Sequence, residues 1–280
     1  MIKLLIDCFG GDHSPEANVE GAVLACGAHP DLTLILTGDE PRIRQELQKY
    51  TFDAERIQVV HAPDVIGCDE KPTDAIRLKR ESSMMKAIAL LRTDDSIAGL
   101  VSNGSTGALV AAAVLRIGRL KGVIRPAFCP VLPTMNGGKV GISDSGANIT
   151  CTAEELLQFG LMASLYLEKI YDVPNPRVAL LNVGTEAEKG DDLRLASYAL
   201  LQKASGIRFV GNMEARDLLK GGCDVVVCDG FSGNVLVKST EGACLEMLLR
   251  LKHDLTCSLW NKIGALFLLN TMRREKEFMN

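Results

Sequence analysis

Nine short apolar runs punctuate the chain, at residues 3–6, 32–36, 57–61, 99–102, 127–132, 140–143, 177–182, 207–210 and 224–228, each of strand length. The segments 16–26, 41–49, 71–91, 107–120, 152–171 and 191–204 instead repeat apolar residues every three or four positions, which lays an apolar stripe along a helix. Strand and helix therefore alternate. That alternation predicts an α/β fold: a mostly parallel sheet with right-handed crossovers and helices on both faces. No low-complexity linker or repeat interrupts it, so residues 1–280 are expected to form a single α/β domain. Thr152 is placed to open its helix, with Glu154 and Glu155 in the first turn complementing the helix dipole.

From Glu241 onward the pattern becomes one long helical tract without strands, a protruding C-terminal segment that includes Leu255, Leu259, Trp260, Ile263, Leu266, Phe267, Leu268 and Leu269. Its longest uncharged run lies between Lys262 and Arg273, far short of the roughly 20 residues that span a bilayer. Trp and Phe beside Lys and Arg suit a membrane surface, and the same stripe suits a dimer-forming helix. Both readings stand. At the other end, Met1 to Ile6 is too short an apolar run for a signal peptide and reads as a first buried strand.

Composition narrows the function classes. With 47% hydrophobic but only 5% aromatic residues, the core must be mostly aliphatic, as in buried parallel strands. A net charge of -4 supplies no basic field for nucleic acid. The nine cysteines are scattered without a Cys-x-x-Cys pair, which argues against a disulfide framework and a zinc ribbon and fits a reducing cytoplasm. No two glycines are separated by a single residue, so a dinucleotide fingerprint is impossible, and a Walker A loop is absent too.

Polar chemistry gathers where strands end. Cys223-Asp224-Val225-Val226-Val227-Cys228 runs into Asp229-Gly230-Phe231-Ser232-Gly233-Asn234, a polar glycine-rich turn that leads into a helix. In an open parallel sheet the carboxyl ends of the strands form the ligand crevice, which places Asp229, Ser232 and Asn234 where chemistry usually happens. Gly104, Ser105, Thr106 and Gly107 follow another strand and open a helix, so their N–H groups can cradle an anion or simply serve a tight turn. Gly10-Gly11-Asp12-His13-Ser14-Pro15 ends the first strand, and there Asp12 is a helix cap or a functional acid and His13 a solvated residue or a functional base. Asp144 to Asn148 and Thr185 to Gly190 bring further polar groups to the same expected rim; Lys189 is placed to meet an anion or is a surface lysine. Arg77, Lys79, Arg80 and Lys86 form a basic helix, either a dock for an acidic partner or a solvated face. With no Gly-x-Ser-x-Gly elbow and four histidines, covalent catalysis has little support. A substrate that brings its own nucleophile, such as phosphate, fits better.

These motifs occur in the order found in a known family. The chain resembles the PlsX-type phosphate acyltransferases from Ile6 to about Lys252, through Asp7-Cys8-Phe9-Gly10-Gly11-Asp12-His13-Ser14-Pro15-Glu16, Lys71-Pro72, Ser102-Asn103-Gly104-Ser105-Thr106-Gly107-Ala108, Gly146-Ala147-Asn148, Glu188-Lys189-Gly190 and Asp229-Gly230-Phe231-Ser232-Gly233-Asn234. It implies a Rossmann-like three-layer fold related to the isocitrate and isopropylmalate dehydrogenases. It also implies a homodimer in the cytoplasm, peripherally associated with the inner face of the cell membrane. The implied reaction transfers a fatty acyl group from acyl-acyl carrier protein to inorganic phosphate. The acyl phosphate serves bacterial phospholipid synthesis through a downstream glycerol-3-phosphate acyltransferase. Acyl-coenzyme A as donor and a non-catalytic scaffold for lipid enzymes are the alternative readings.

On this resemblance Lys189 helps the 104–107 turn hold phosphate, Lys189 and Asn234 stabilise developing charge, and Asp12 and His13 order the first-strand loop. Gly104, Ser105, Thr106, Gly107, Asn148, Asp229 and Ser232 serve phosphate and substrate, and neither a metal nor a redox cofactor is required. Two residues depart from the family's pattern: Ser105 stands where Asn is usual, and Ser145 where Val is usual. Relatives also continue into a glycine-rich terminal segment, expected in a longer form of this chain.

Overall fold

The computed structural model describes residues 1–258, 260–262, 264, 265 and 268. The expectations placed on Leu259, Ile263, Leu266, Phe267 and Leu269 lie outside the described residues. The chain forms two compact units, residues 1–121 and 122–280. Each is a mostly parallel sheet covered by helices on both faces, and the strands that alternation alone could not partition thus divide between two sheets.

The first unit runs β1 (Ile2–Asp7), α1 (Glu16–Ala28), β2 (Leu32–Gly38), α2 (Glu40–Leu47), β3 (Ile57–His61), α3 (Pro72–Leu78), α4 (Ser83–Thr93), β4 (Ile97–Ser102) and α5 (Thr106–Arg116). Its sheet order is β3-β2-β1-β4, all parallel. Side chains alternate across a strand, so β2 splits its residues between two layers. Leu32, Leu34 and Leu36 meet Val19 and Cys26 of α1 and Ile43 of α2, whereas Ile35 joins Leu5 and Ala87 on the opposite face. Because both faces are covered, the strand is apolar almost throughout.

The helix expected over residues 71–91 is two helices. Ser82 caps α4 by accepting from the Met85 N–H, and the Ser83 N–H donates to the Asp64 carbonyl, so the polar stretch between α3 and α4 is held by the 64–65 loop. Lys79 is drawn the same way, donating to the Val65 carbonyl and pairing with Glu70 at 2.6 Å. The basic face expected there is correspondingly weaker: Lys79 and Lys86 are each paired with a glutamate, Lys86 with Glu81 at 2.5 Å.

The second unit runs β5 (Val131–Pro133), β6 (Lys139–Ser143), α6 (Ala153–Ile170), β7 (Arg177–Asn182), α7 (Asp192–Lys203), β8 (Arg208–Glu214), β9 (Val225–Val227) and α8 (Gly230–Thr256), with a short 3-10 turn at Ala215–Lys220. Its sheet order is β5-β6-β9-β7-β8, and only β5 is antiparallel. The strand expected over 127–132 shrinks to β5. Pro126 and Pro130 cannot donate to a ladder, and the Phe128 N–H turns instead to Asp144 Oδ1 at 2.8 Å. Val225 and Val227 of β9 pack on Leu156 and Phe159 of α6, and Val226 packs on the other layer with Leu218 and with Leu236 of α8. Thr152 and Glu155 complete a capping box at the start of α6, as their spacing predicts.

The long C-terminal helix begins earlier than Glu241. Residues 230–234, expected as a turn, are the first residues of α8. From Glu241 to Asp254 every residue of α8 is exposed, including Leu245, Met247, Leu248, Leu249 and Leu251. Trp260 and Leu268 are exposed as well. Among the described residues no helix is long and apolar enough to cross a membrane.

Candidate active site

In the first unit the chain proceeds from β1 to β2 to β3 in one direction and then places β4 on the other side of β1. The topological switch point therefore lies between β1 and β4, and the loops leaving both strands meet there. Asp7, at the end of β1, accepts from Ser102 Oγ at 2.7 Å, and that hydroxyl accepts from the Gly104 N–H at 3.1 Å. Asn18 of α1 is buried and joins the loops: its Nδ2 donates to the Cys8 and Gly10 carbonyls at 3.1 and 2.9 Å, and its Oδ1 accepts from Asn103 Nδ2 at 2.9 Å. Gly10 is required by this closeness, since a Cβ there would sit 2.5 Å from the Gly104 nitrogen.

Ser105 caps α5, accepting from the Ala108 N–H at 3.4 Å, and Thr106 and Gly107 form the first turn of that helix. Serine and asparagine are about equally good N-caps, so the departure from the family's Asn at this position keeps the local fold. Pro72 of the Lys71-Pro72 motif lies over Gly107, where a Cβ would approach Pro72 Cγ to 2.9 Å. Asp12 and His13 are exposed, and among the described residues neither side chain makes a hydrogen bond. Asp12 is also not the cap of α1; Pro15 occupies that position.

In the second unit the carboxyl ends of β6, β9 and β7 carry the polar groups. Asp144, fully buried at the end of β6, accepts from the N–H groups of Phe128, Ser145, Ala147 and Asn148 and from Asn148 Nδ2. Asn148 also donates to the Pro126 carbonyl at 2.8 Å, and its own carbonyl accepts from the Gly230 N–H at 2.8 Å. This buried carboxylate fastens the 144–148 loop under the start of α8. Gly230 and Gly233 permit the approach, because a Cβ at Gly230 would lie 2.6 Å from the Asn148 carbonyl oxygen and one at Gly233 1.9 Å from that of Asp144.

Asp229 caps α8. Its carboxylate accepts from the Ser232 N–H and Oγ, each at 2.9 Å, and pairs with Arg194 Nη2. Burial would raise the Asp229 carboxyl, but the two Ser232 hydrogen bonds and the Arg194 charge outweigh it and hold the group below the usual carboxylate range. Arg194 of α7 also donates to Ser232 Oγ and to Asp191 Oδ2, both at 3.0 Å. Asn234 is half-buried one residue beyond Gly233 and donates from Nδ2 to the Ser145 carbonyl at 3.3 Å. Lys189 sits in the loop after β7 with its side chain exposed, while its carbonyl accepts from Asn182 Nδ2 at 2.9 Å.

A cavity of about 610 Å³ opens beside this cluster, walled by Val183, Phe231, Val235 and Leu236, with Arg194 and Ser232 at its polar part. A second, of about 350 Å³, is lined by Cys151, Arg194, Asp229 and Ser232, so Arg194 and Ser232 border both. Burial pushes the Cys151 thiol up to about 11, which keeps it protonated and non-nucleophilic at neutral pH. Among the described residues no cluster of three or more His, Cys, Asp or Glu could hold a metal ion.

The structure thus brings Asp229, Ser232 and Asn234 onto one helical turn, with Asn148 beneath it and Lys189 on a separate loop. Sequence reasoning misses Arg194 and Asn18; it puts Asp144 on the expected rim and Asp7 in a motif without giving either a role of its own. Arg194 lies inside an amphipathic helix and Asn18 reads as a polar face of α1, so neither carries a local signal. Asp7 and Asp144 do carry one, being acids directly at strand ends.

The model of a family described as "Fatty acid synthesis protein" matches residues 2–280. The chain is 39% identical over 279 residues to the phosphate acyltransferase of Clostridioides difficile (strain 630), covering 100% of this chain and 81% of that protein. It is 45% identical over 265 residues to the phosphate acyltransferase of Clostridium acetobutylicum, covering 95% of this chain and 79% of that protein. In fold it is similar to a phosphotransacetylase from Streptococcus pyogenes, with a TM-score of 0.61 at 17% identity over 87% of this chain and 82% of the other. EutD phosphotransacetylase from Staphylococcus aureus gives 0.59 at 18% identity over 85% and 80%. Ordered strand-end motifs, now matched by relatives along nearly the whole chain, lead to one assignment: this chain belongs to the PlsX family of phosphate acyltransferases and is an acyltransferase enzyme.

Proposed function

We propose that the enzyme transfers a fatty acyl group from acyl-acyl carrier protein to inorganic phosphate, producing acyl phosphate for phospholipid synthesis. The observation that carries this reading is the 610 Å³ cavity of the second unit, whose apolar wall suits an aliphatic chain and whose polar part, Arg194 and Ser232, suits the reacting carbonyl. A phosphate oxygen attacks the thioester carbon, the carbon–sulfur bond breaks, and the carrier thiol leaves with the proton that phosphate brought. Phosphate is anionic at neutral pH, so a general base has little to do.

In this reading Gly104, Ser105, Thr106 and Gly107 hold phosphate at the start of α5, where the N–H groups not already taken by Ser102 and Ser105 and the helix dipole favour an anion. Lys189 and Asn234 stabilise charge that develops on the carbonyl oxygen. Asp229 and Ser232 set the helix turn that carries Asn234, Asn148 supports it from below, and Asp12 and His13, exposed on the loop after β1, are the groups that loop offers to a bound substrate. The acyl phosphate then passes to a glycerol-3-phosphate acyltransferase.

The test is to incubate the protein with phosphate and acyl-acyl carrier protein, trap acyl phosphate with hydroxylamine, and repeat with acyl-coenzyme A. Phosphate-dependent hydroxamate from the carrier-bound donor is the expected result. Product from coenzyme A alone overturns the carrier reading, and none from either donor overturns acyl transfer to phosphate.

We further propose that the exposed stripe of α8 rests on the cytoplasmic face of the membrane in a homodimer. Leu245, Leu248 and Leu249 share one face at helical spacing, and all are exposed. Leu245→Glu with Leu249→Glu should release the protein from anionic vesicles in a sedimentation assay while hydroxamate formation from soluble donor persists. A variant that still sediments with vesicles but elutes as a monomer would make the stripe a dimer interface instead.

A further inference from the structure

Arg80, just before α4, Arg92 in the last turn of α4 and Arg116 at the end of α5 line one hollow of about 220 Å³, together with Met85, Ala89 and Thr93. Among the described residues none of the three guanidinium groups forms an ion pair, although the chain carries a net charge of -4 and its neighbours Lys79 and Lys86 each find a glutamate. Arg80 is steered by its own Nε, which donates to the Arg77 carbonyl at 3.3 Å. Like charges around one hollow repel each other, and an anion between them removes that cost. The planar fork of a guanidinium matches phosphate oxygens two at a time, which a lysine cluster would not do.

The rest of the lining is apolar. Met85 is buried and Ala89 lies one turn further along the same face of α4, while arginine stems add aliphatic surface around them. A hollow of about 220 Å³ has room for a phosphate with a short aliphatic group. We propose that this hollow binds a phosphate monoester that carries an aliphatic substituent, at a site separate from Arg194 and from the turn at 104–107. The inference does not rest on the acyl-transfer reading.

Calorimetric titration with hexyl phosphate and with inorganic phosphate at low salt tests it, on the wild type and on Arg92→Gln/Arg116→Gln. The wild type should bind hexyl phosphate saturably and more tightly than inorganic phosphate. The double variant should lose at least tenfold in affinity with an unchanged melting temperature and unchanged hydroxamate formation, and Arg80→Gln should weaken binding in the same sense. Binding should persist in Lys189→Ala, which separates this hollow from the reaction site. Equal affinity in the wild type and the double variant would overturn the proposal, as would equal affinity for the two phosphates. If the arginines affect only sedimentation with phosphatidate vesicles and hexyl phosphate does not bind, the hollow is a lipid-surface contact and the soluble-ligand assignment is wrong.

Discussion

Gly233→Ala should be among the most damaging single substitutions in the second unit, although it adds one methyl group to a helix. The new Cβ would lie 1.9 Å from the Asp144 carbonyl oxygen and 2.9 Å from Cys228 Sγ, both fixed by neighbouring strands. Relief requires either the start of α8 or the 144–148 loop to move, which would disturb the five hydrogen bonds that satisfy the buried Asp144 carboxylate. Overpacking typically costs about 1–3 kcal/mol, and because both close atoms are held at strand ends this site belongs at the upper end, a fall of roughly 6–12 °C in melting temperature. Gly242→Ala, in the same helix with nothing within 4 Å of the added Cβ, is the control. It should be neutral or stabilise by up to about 1 kcal/mol. Equal melting temperatures for the two variants would show that the loop yields and that close packing is not why glycine stands at 233.

That contrast marks how far the sequence can be read. Alternating apolar runs and helical stripes are enough to order the strands and helices, because buried parallel strands are apolar on both faces and their crossover helices are not. They leave unsaid which strands pair, since hydrogen bonding between strands has no local pattern. Glycines at 230 and 233 suggest a turn when read locally, yet they sit inside α8, where their lack of a Cβ serves contact with a distant loop. Ser82 breaks the stripe over 71–91 because its hydroxyl competes as a helix cap, a choice settled by the 64–65 loop rather than by neighbouring residues. The strand-end acids and amides at 229–234 were legible because topology sends such positions to the ligand crevice.

Arg194 was not legible, and it is the residue whose loss should tell most about the chemistry. Its guanidinium contacts Asp229, Ser232 and Asp191 at once and borders both cavities. Arg194→Gln leaves Asp229 with only the Ser232 donors, so the cap of α8 should loosen. The Asp229 carboxyl is held below its ordinary range, so its stabilisation is present at neutral pH and is lost as pH falls through that depressed value. The stability gap between wild type and Arg194→Gln should therefore be widest at neutral pH and close in acid. Turnover should fall about 100-fold, roughly 2.7 kcal/mol of transition-state stabilisation, and Arg194→Lys should not rescue it because a compact ammonium lacks the forked donors that reach Asp229, Ser232 and Asp191 together. Lys189→Ala provides the comparison. Its side chain is exposed, so a loss of turnover on the order of 3 kcal/mol should come without a change in melting temperature. If Arg194→Gln melts earlier but its folded fraction retains wild-type kcat and KM for both substrates, Arg194 is a structural clamp and the reacting carbonyl lies elsewhere. If Lys189→Ala retains wild-type turnover at saturating phosphate, the cation that meets the developing charge is not on the 183–190 loop.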